Sequence, residues 1–336
     1  MNLLISGAAF LLLSNLVHPL PHSQPHPQPH SHPHPHPHPH PHPHPHPHPH
    51  ATNLVLTNDD GWAVAMIRQQ FADLVHAGYD VILSAPAQDK SGTGSSTATP
   101  TPLTEPCEFD SCPTGSPAEG FNSSDPRFNY VNSFPVDSVR FGIQTLSPKF
   151  FGHAPDFVVA GPNVGNNLGT ATVGISGTVG AACEASVEGI PSTAFSAAGL
   201  SHVSYTDLSV DDADTFGART FATLTARFVD ALLAHGKPYL PPEVSINVNY
   251  PASTNTTCSS PSNFSFILTR IAPSNTTVDV KTCGTDHLPG ETNVVATPGC
   301  FASVSVMNAT TKADVDAKTQ AFVLDRLGNF LSCLPS

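Results

Sequence analysis

Residues Asn53 to Gly61, reading NLVLTNDDG, constrain the fold of this chain more than any other stretch. Leu54, Val55 and Leu56 form a short apolar run closed by turn formers, the pattern of a strand buried in a parallel sheet. Asn58 to Gly61 supply the turn, and Gly61 tolerates positive φ. Beyond the turn, Val64, Ile67, Phe71, Leu74 and Val75 fall on one stripe of a helix predicted over 63–77. Strand, tight turn and helix open a βαβ unit. In open parallel sheets the ligand lies beyond the carboxyl ends of the strands, which places Asp59 and Asp60 at that edge. Two adjacent carboxylates repel, and a hard divalent cation such as Mg²⁺ is a natural partner. A solvated turn has the same composition, so this stretch alone leaves both readings open.

Two unusual segments precede it. Leu3 to Val17 is an almost unbroken apolar run, too short for a comfortable bilayer span and of signal-peptide length, so 1–17 is expected to be a signal peptide. Residues 18–52 follow as a low-complexity segment with strict His-Pro alternation from His32 to His50. Proline removes backbone donors and fixes φ, which leaves polyproline II as the one regular option. Its imidazoles could gather Zn²⁺ or Cu²⁺, but composition favours a disordered spacer over a dedicated metal store. The folded domain is expected over 53–336.

The formal charge of −13 argues against binding to a nucleic-acid duplex. The later helices are amphipathic and not of membrane length, so no membrane span is expected in the mature chain. Seven cysteines behind a signal sequence point to disulfides and a secreted protein. Cys183 sits in a small-residue helix and is expected to be a buried free thiol. Cys107 and Cys112 close a short loop, and the remaining bridges are expected among Cys258, Cys283, Cys300 and Cys333. Sequons at Asn122, Asn255, Asn263, Asn275 and Asn308 fit a secreted glycoprotein.

Along the domain, Val81–Ser84 reads as a second strand, followed by a polar loop holding Lys90-Ser91-Gly92-Thr93-Gly94. Such small residues let backbone amides approach an anion, although a plain surface loop looks the same. Residues 98–130 read as an irregular insertion rich in Pro, Ser and Thr. A helix is predicted over 135–146, and a buried strand over 156–161 running into Pro162-Asn163-Val164-Gly165-Asn166-Asn167. Ser176-Gly177-Thr178 opens a helix reaching Val187, a ready anion site at its N-terminus. Further strands are predicted over 191–196 and 244–248, with a long amphipathic helix after Asp211 between them. Residues 252–311 read as a β-rich elaboration, closed by a helix near 313–331.

Taken together, the segments LTNDDG (56–61), APAQDKSG (85–92), PVDSVR (135–140), DFVVAGPNVGNNLG (156–169), SGTVGAA (176–182) and INVNYP (246–251) are similar, in order, to the SurE family of metal-dependent phosphatases and 5′/3′-nucleotidases. The resemblance covers most of 53–251. Pro162 departs from it where Ile is usual, and the Asn163–Ser176 span is one residue longer. It implies an α/β, Rossmann-like, mainly parallel sheet with helices on both faces. It implies a divalent cation, Mg²⁺ or Mn²⁺, held by Asp59, Asp60, Ser91 and Asn163. Phosphate contacts are implied from Asn58, Asn167, Ser176, Gly177 and Thr178, with Asp59 and Asp60 at the catalytic centre. The substrate is then a small phosphorylated molecule, and a homodimer or higher homo-oligomer is expected. Three rivals share parts of this pattern: an inactive member of the same fold, a His-rich secreted metal-binding glycoprotein, and a dinucleotide oxidoreductase. The missing Gly-x-Gly-x-x-Gly makes the last remote.

Overall fold

A computed structural model describes residues 52–335, Val210 aside; the signal peptide expected at 1–17 and residues 18–51 of the His-Pro segment lie outside the described residues. Within them, β1 (Asn53–Thr57) is buried from Leu54 onward and pairs in parallel with β2 (Asp80–Pro86) and β5 (Phe157–Val164). In register, Leu56 lies between Leu83 and Val159. On the β5 side follow β6 (Ser192–Ala197) and β7 (Val244–Tyr250), both parallel. The direction reverses at β9 (Phe301–Asn308), antiparallel to β7, and β8 (Ser265–Thr269) and β10 (Leu331–Ser332) complete that side. Beyond β2 lie β4 (Asp125–Val131), parallel, and β3 (Glu119–Asn122), antiparallel at the edge. The order is β10-β8-β9-β7-β6-β5-β1-β2-β4-β3.

The two faces of β1 feed two cores, because successive side chains alternate across a strand. Leu54 and Leu56 join Phe157 and Val159 beneath α1 (Ala65–His76) and α6 (Ala213–Leu233), which contribute Ile67, Phe71, Leu74, Phe221 and Phe228. Val55 points the other way, to Val139 and Ile143 and to Ala181 and Ala185. Val139 lies in α2 (Pro135–Phe141), which runs through a π-turn at 142–146 into α3 (Ser147–Phe151). The two alanines lie in α5 (Gly177–Val187), preceded by the short α4 (Gly169–Ile175). Each large apolar side chain so buried contributes about 1.5–3 kcal/mol. The expected doubly faced, mainly parallel α/β sheet is therefore present.

Two segments differ from the sequence reading. Residues 119–131 of the supposed irregular insertion form the β3–β4 hairpin, and β4 joins the main sheet. Polar Arg127 and Asn129 alternating with Phe128 and Tyr130, with Pro126 at the start, disguise a strand that is only partly covered. The C-terminal region contains α7 (Glu291–Ala296) between its strands, and the last helix, α8 (Ala317–Leu327), is shorter than expected because β10 follows it. There Arg270 forms a buried ion pair with Asp279, and its Nη2 lies 3.5 Å from Asp314. Cysteines pair as Cys107–Cys112, Cys258–Cys300 and Cys283–Cys333, and Cys183 is free and buried. Among the described residues no helix is long and apolar enough to cross a membrane.

Candidate active site

The chain leaves neighbouring strands β1 and β5 toward opposite sides of the sheet, since β2 follows on one side and β6 on the other. That arrangement opens a crevice beyond their carboxyl ends. Thr57 ends β1, and the turn after it folds on itself. Asn58 Nδ2 donates to the Gly61 carbonyl at 3.0 Å, and the Gly61 N–H donates back to Asn58 Oδ1 at 3.3 Å. Gly61 has φ +112°, and a Cβ there would collide with Glu108 Oε2. The turn presents Asp59 and Asp60, both buried.

Asp59 faces the start of α5. Its Oδ2 accepts the Gly177 N–H at 3.0 Å and its Oδ1 accepts the Thr178 hydroxyl. Gly177 is required by this approach, because a Cβ would lie 2.8 Å from Asp59 Cβ. Ser176 caps the helix, its Oγ accepting the Val179 N–H at 3.1 Å. Asp60 turns to the β5 loop and beyond. Oδ2 accepts the Val164 N–H at 2.9 Å, and Oδ1 has no well-aligned hydrogen-bond donor beyond an ionic contact. His202 Nε2 stands 3.0 Å from Oδ1 as a charge contact, and its Nδ1 lies 3.7 Å from Glu108 Oε1.

Burial first, and then the charge of Asp60, raises the Asp59 carboxyl well above the carboxylate range. Burial also raises Asp60, against the opposing contact with His202. The Asp60 and Glu108 contacts push the His202 imidazole up to about 10. The turn therefore concentrates negative charge in a dry setting, and positive charge is drawn to it.

The other residues singled out by sequence divide into two groups. Asn163 stays at the centre, its Oδ1 3.4 Å from Thr178 Oγ1 and its Nδ2 donating to the Gly165 carbonyl at 2.7 Å. Ser91 is exposed and bonds Asp89 Oδ1 through both its N–H at 2.8 Å and its hydroxyl at 2.7 Å. The Lys90 N–H holds the Asp59 carbonyl at 2.8 Å. Asn58 and Asn167 spend their side chains on the scaffold. Asn167 Nδ2 donates to Ser196 Oγ at 2.7 Å, and its backbone is gripped by Asn247 and Asn249 of β7. Behind it lies the buried Glu291, whose oxygens accept the Gly169 N–H at 2.7 Å, Asn247 Nδ2 at 3.1 Å and the Ser305 hydroxyl at 2.8 Å.

Three side chains at the site escaped the sequence reading: Asp89, Glu108 and His202. Ligand atoms of Asp60, Asp89 and His202 lie within 4.8 Å of one another, a group able to hold a metal ion. Asp89 stands two residues before Ser91 and could have been found from its loop. Glu108 follows Cys107 inside the small disulfide loop. His202 lies on the loop after β6 with no local motif, and the one clue is that loops after parallel strands gather at the same edge.

Residues 54–275 match the family model described as survival protein SurE. An acid phosphatase of Yarrowia lipolytica is 33% identical over 304 residues, covering 82% of this chain and 84% of its own. A 5′-nucleotidase SurE of Lawsonia intracellularis is 36% identical over 144 residues, and the match spans 50% of its length. The SurE protein of Aquifex aeolicus superposes with a TM-score of 0.52 at 24% identity, over 76% of this chain and 93% of that one. That structural likeness speaks for the fold, and the first two matches speak for descent. With two thirds of its length inside the family model and one relative matched over more than four fifths of both chains, the chain belongs to the survival protein SurE family.

Proposed function

We propose that this chain hydrolyses phosphoric monoesters of small molecules, nucleoside monophosphates among them, with a divalent cation, Mg²⁺ or Mn²⁺, at the Asp59–Asp60 turn. The observation that carries this reading is the junction of two buried carboxylates with the N-terminus of α5, where Gly177 N–H lies 3.0 Å from Asp59. The acid phosphatase and 5′-nucleotidase names of the relatives support the same reaction class. The donor set suits a cation. Asp60 Oδ1 is a fully buried oxygen without a well-aligned hydrogen-bond donor, next to a second buried carboxylate. Asp59, Asp60, Ser91 and Asn163 would hold the ion, which when bound neutralises phosphate oxygens and lowers the pKa of water.

The chain's own groups do the rest. The amides at Gly177 and Thr178 sit at a helix start, where an anion is stabilised by unpaired N–H groups and the helix dipole. Asp59 occupies those donors in this structure, so an entering phosphate competes for them and frees a carboxylate beside the ester. That carboxylate serves as base or nucleophile. Asn58 and Asn167 act by bracing the turn and the β5 loop. The three disulfides suit an oxidising compartment and support secretion. The test is a panel of nucleotides, sugar phosphates and polyphosphate assayed with Mg²⁺, Mn²⁺ and EDTA. Cation-dependent release of phosphate from monoesters is expected, and a protein inert toward every ester with either metal defeats the reading.

A further inference from the structure

We infer that His202 and Asp89, in place of Ser91 and Asn163, complete the shell of the cation at Asp60, so that the site pairs an imidazole nitrogen with carboxylate oxygens, keeps positions open for water and phosphate, and selects Mn²⁺ over Mg²⁺. The inference rests on the reading above only for the presence of a cation at the turn.

Four observations carry it. Asp60 Oδ1 has no well-aligned hydrogen-bond donor, and its partner is an ionic contact with His202, whose Nε2 lies 3.0 Å away. Asp60 itself is fully buried, so bulk water does not reach that oxygen. Asp89 brings a third donor atom within 4.8 Å of both. That spacing matches ligand atoms that share one ion, since metal–ligand bonds near 2.0–2.2 Å leave neighbouring donors roughly 3–4 Å apart. Glu108 supplies the fourth observation. Its carboxylate lies behind the ring, with Oε1 3.7 Å from Nδ1. A carboxylate on the far nitrogen is the usual companion of a metal-bound histidine, because it fixes the ring so that the other nitrogen faces the ion. Glu108 is positioned by the Cys107–Cys112 loop, whose Ser111 hydroxyl accepts the Trp62 indole N–H at 3.0 Å. Ring, carboxylate and loop thus form one assembly against the turn.

The chemical consequence is selectivity. Mg²⁺ prefers oxygen donors and sheds water reluctantly, whereas imidazole suits first-row transition ions. Exchanging part of an oxygen shell for Nε2 therefore favours Mn²⁺.

Trp62, the one tryptophan of the chain, lies two residues from Asp60 and reports this site, not the His-Pro tract. The experiment follows Trp62 emission in the full-length protein, with free Mn²⁺ or Mg²⁺ set by a metal buffer. Wild type, His202→Asn and Asp89→Asn are compared, and circular dichroism checks that each is folded. In wild type Mn²⁺ should bind at least tenfold more tightly than Mg²⁺. His202→Asn should weaken Mn²⁺ by about tenfold or more and Mg²⁺ by less than threefold, by the scale of altered metal shells. Asp89→Asn, at an exposed position where folding is not at stake, should weaken both ions. An unchanged Mn²⁺ to Mg²⁺ ratio in His202→Asn overturns the inference, as does unaltered affinity in Asp89→Asn. If phosphate release by wild type persists in either case, the phosphatase reading stands. If neither ion binds and no ester is cleaved, both fall.

Discussion

Two groups of buried carboxylates occupy this molecule, and they are built in opposite ways. In the C-terminal region Asp279 and Asp314 share the guanidinium of Arg270. Asp279 also accepts the Leu288 N–H at 2.9 Å and Gln320 Nε2 at 2.7 Å, and Asp314 accepts the Ile271 and Ala272 N–H groups at 2.7 and 2.9 Å. Every carboxylate oxygen there has a protein donor, and one guanidinium offsets one of the two charges. At the β1 turn two adjacent acids are buried with one partly exposed imidazole between them and Glu108, and Asp60 Oδ1 lacks a well-aligned donor. A carboxylate completed by the protein holds the fold together. The other pair would be completed by the proposed cation.

The largest expected effect comes from breaking the completed cluster. Arg270→Met leaves Asp279 and Asp314 buried without their cation and should lower unfolding stability by about 3–5 kcal/mol, with hydrolysis per folded molecule unchanged. Chemical denaturation beside an assay corrected for the folded fraction measures both. A stable variant, or one that is folded yet inactive, would erase the contrast.

Asp60→Asn probes the incomplete cluster. It keeps volume and removes a charge, so turnover should fall on the order of 10²-fold, because charge on the phosphate loses its stabilisation. The melting temperature should hold or rise, since repulsion with Asp59 is relieved. A melting temperature that falls as far as that of Arg270→Met would place both clusters in the same structural class.

Glu291 sharpens the comparison as an intermediate case, hydrogen-bonded on both oxygens but without a cation beside it. Burial raises its carboxyl from 4.5 to about 7. Between those values the folded protein holds a proton that the unfolded chain releases. Its contribution is therefore full below pH 4.5 and lost as pH rises to about 7. Glu291→Gln should flatten that part of the stability profile by on the order of 1–3 kcal/mol. Thermal melts at half-unit steps from pH 4 to 8 would reveal it, and an identical slope in the variant would refute the assignment.

The smallest effect concerns Cys183. Burial pushes its thiol up to about 12, so iodoacetamide should leave it unlabelled in the native protein and label it once in denaturant. Rapid native labelling, read by mass spectrometry, would show that the α5 side of the site opens more readily than its packing implies.

The sequence displays the completed parts of the fold better than the incomplete ones. Apolar runs announce β1, β2 and β5, because strands covered on both faces need few polar residues, whereas β6 and β7 bury Ser192, Thr193, Ser245, Asn247 and Asn249 among their apolar positions. β4 stays hidden, since a half-covered strand near the sheet edge carries Arg127 and Asn129 in the pattern of a loop. The cysteine reading holds for the small Cys107–Cys112 loop and for the free Cys183. Asp59, Asp60 and Gly177 are legible because their spacing is local: one turn, one helix start. His202 and Glu108 are not, because each enters from a separate loop, and only the folded sheet edge brings them together across roughly a hundred residues of chain.

Gly94, in the loop that carries Asp89 and Ser91, lies directly against Gly180 of α5. A Cβ at residue 180 would collide with the Gly94 carbonyl, and the Gly94 N–H donates to the Ile175 carbonyl at 2.7 Å. The loop bearing Asp89 and Ser91 is thus bonded, main chain to main chain, to the end of α4 and packed closely on α5, the helix whose first amide meets Asp59. The gauge between the two sides of the crevice is fixed by peptide geometry and cannot drift as surface side chains change.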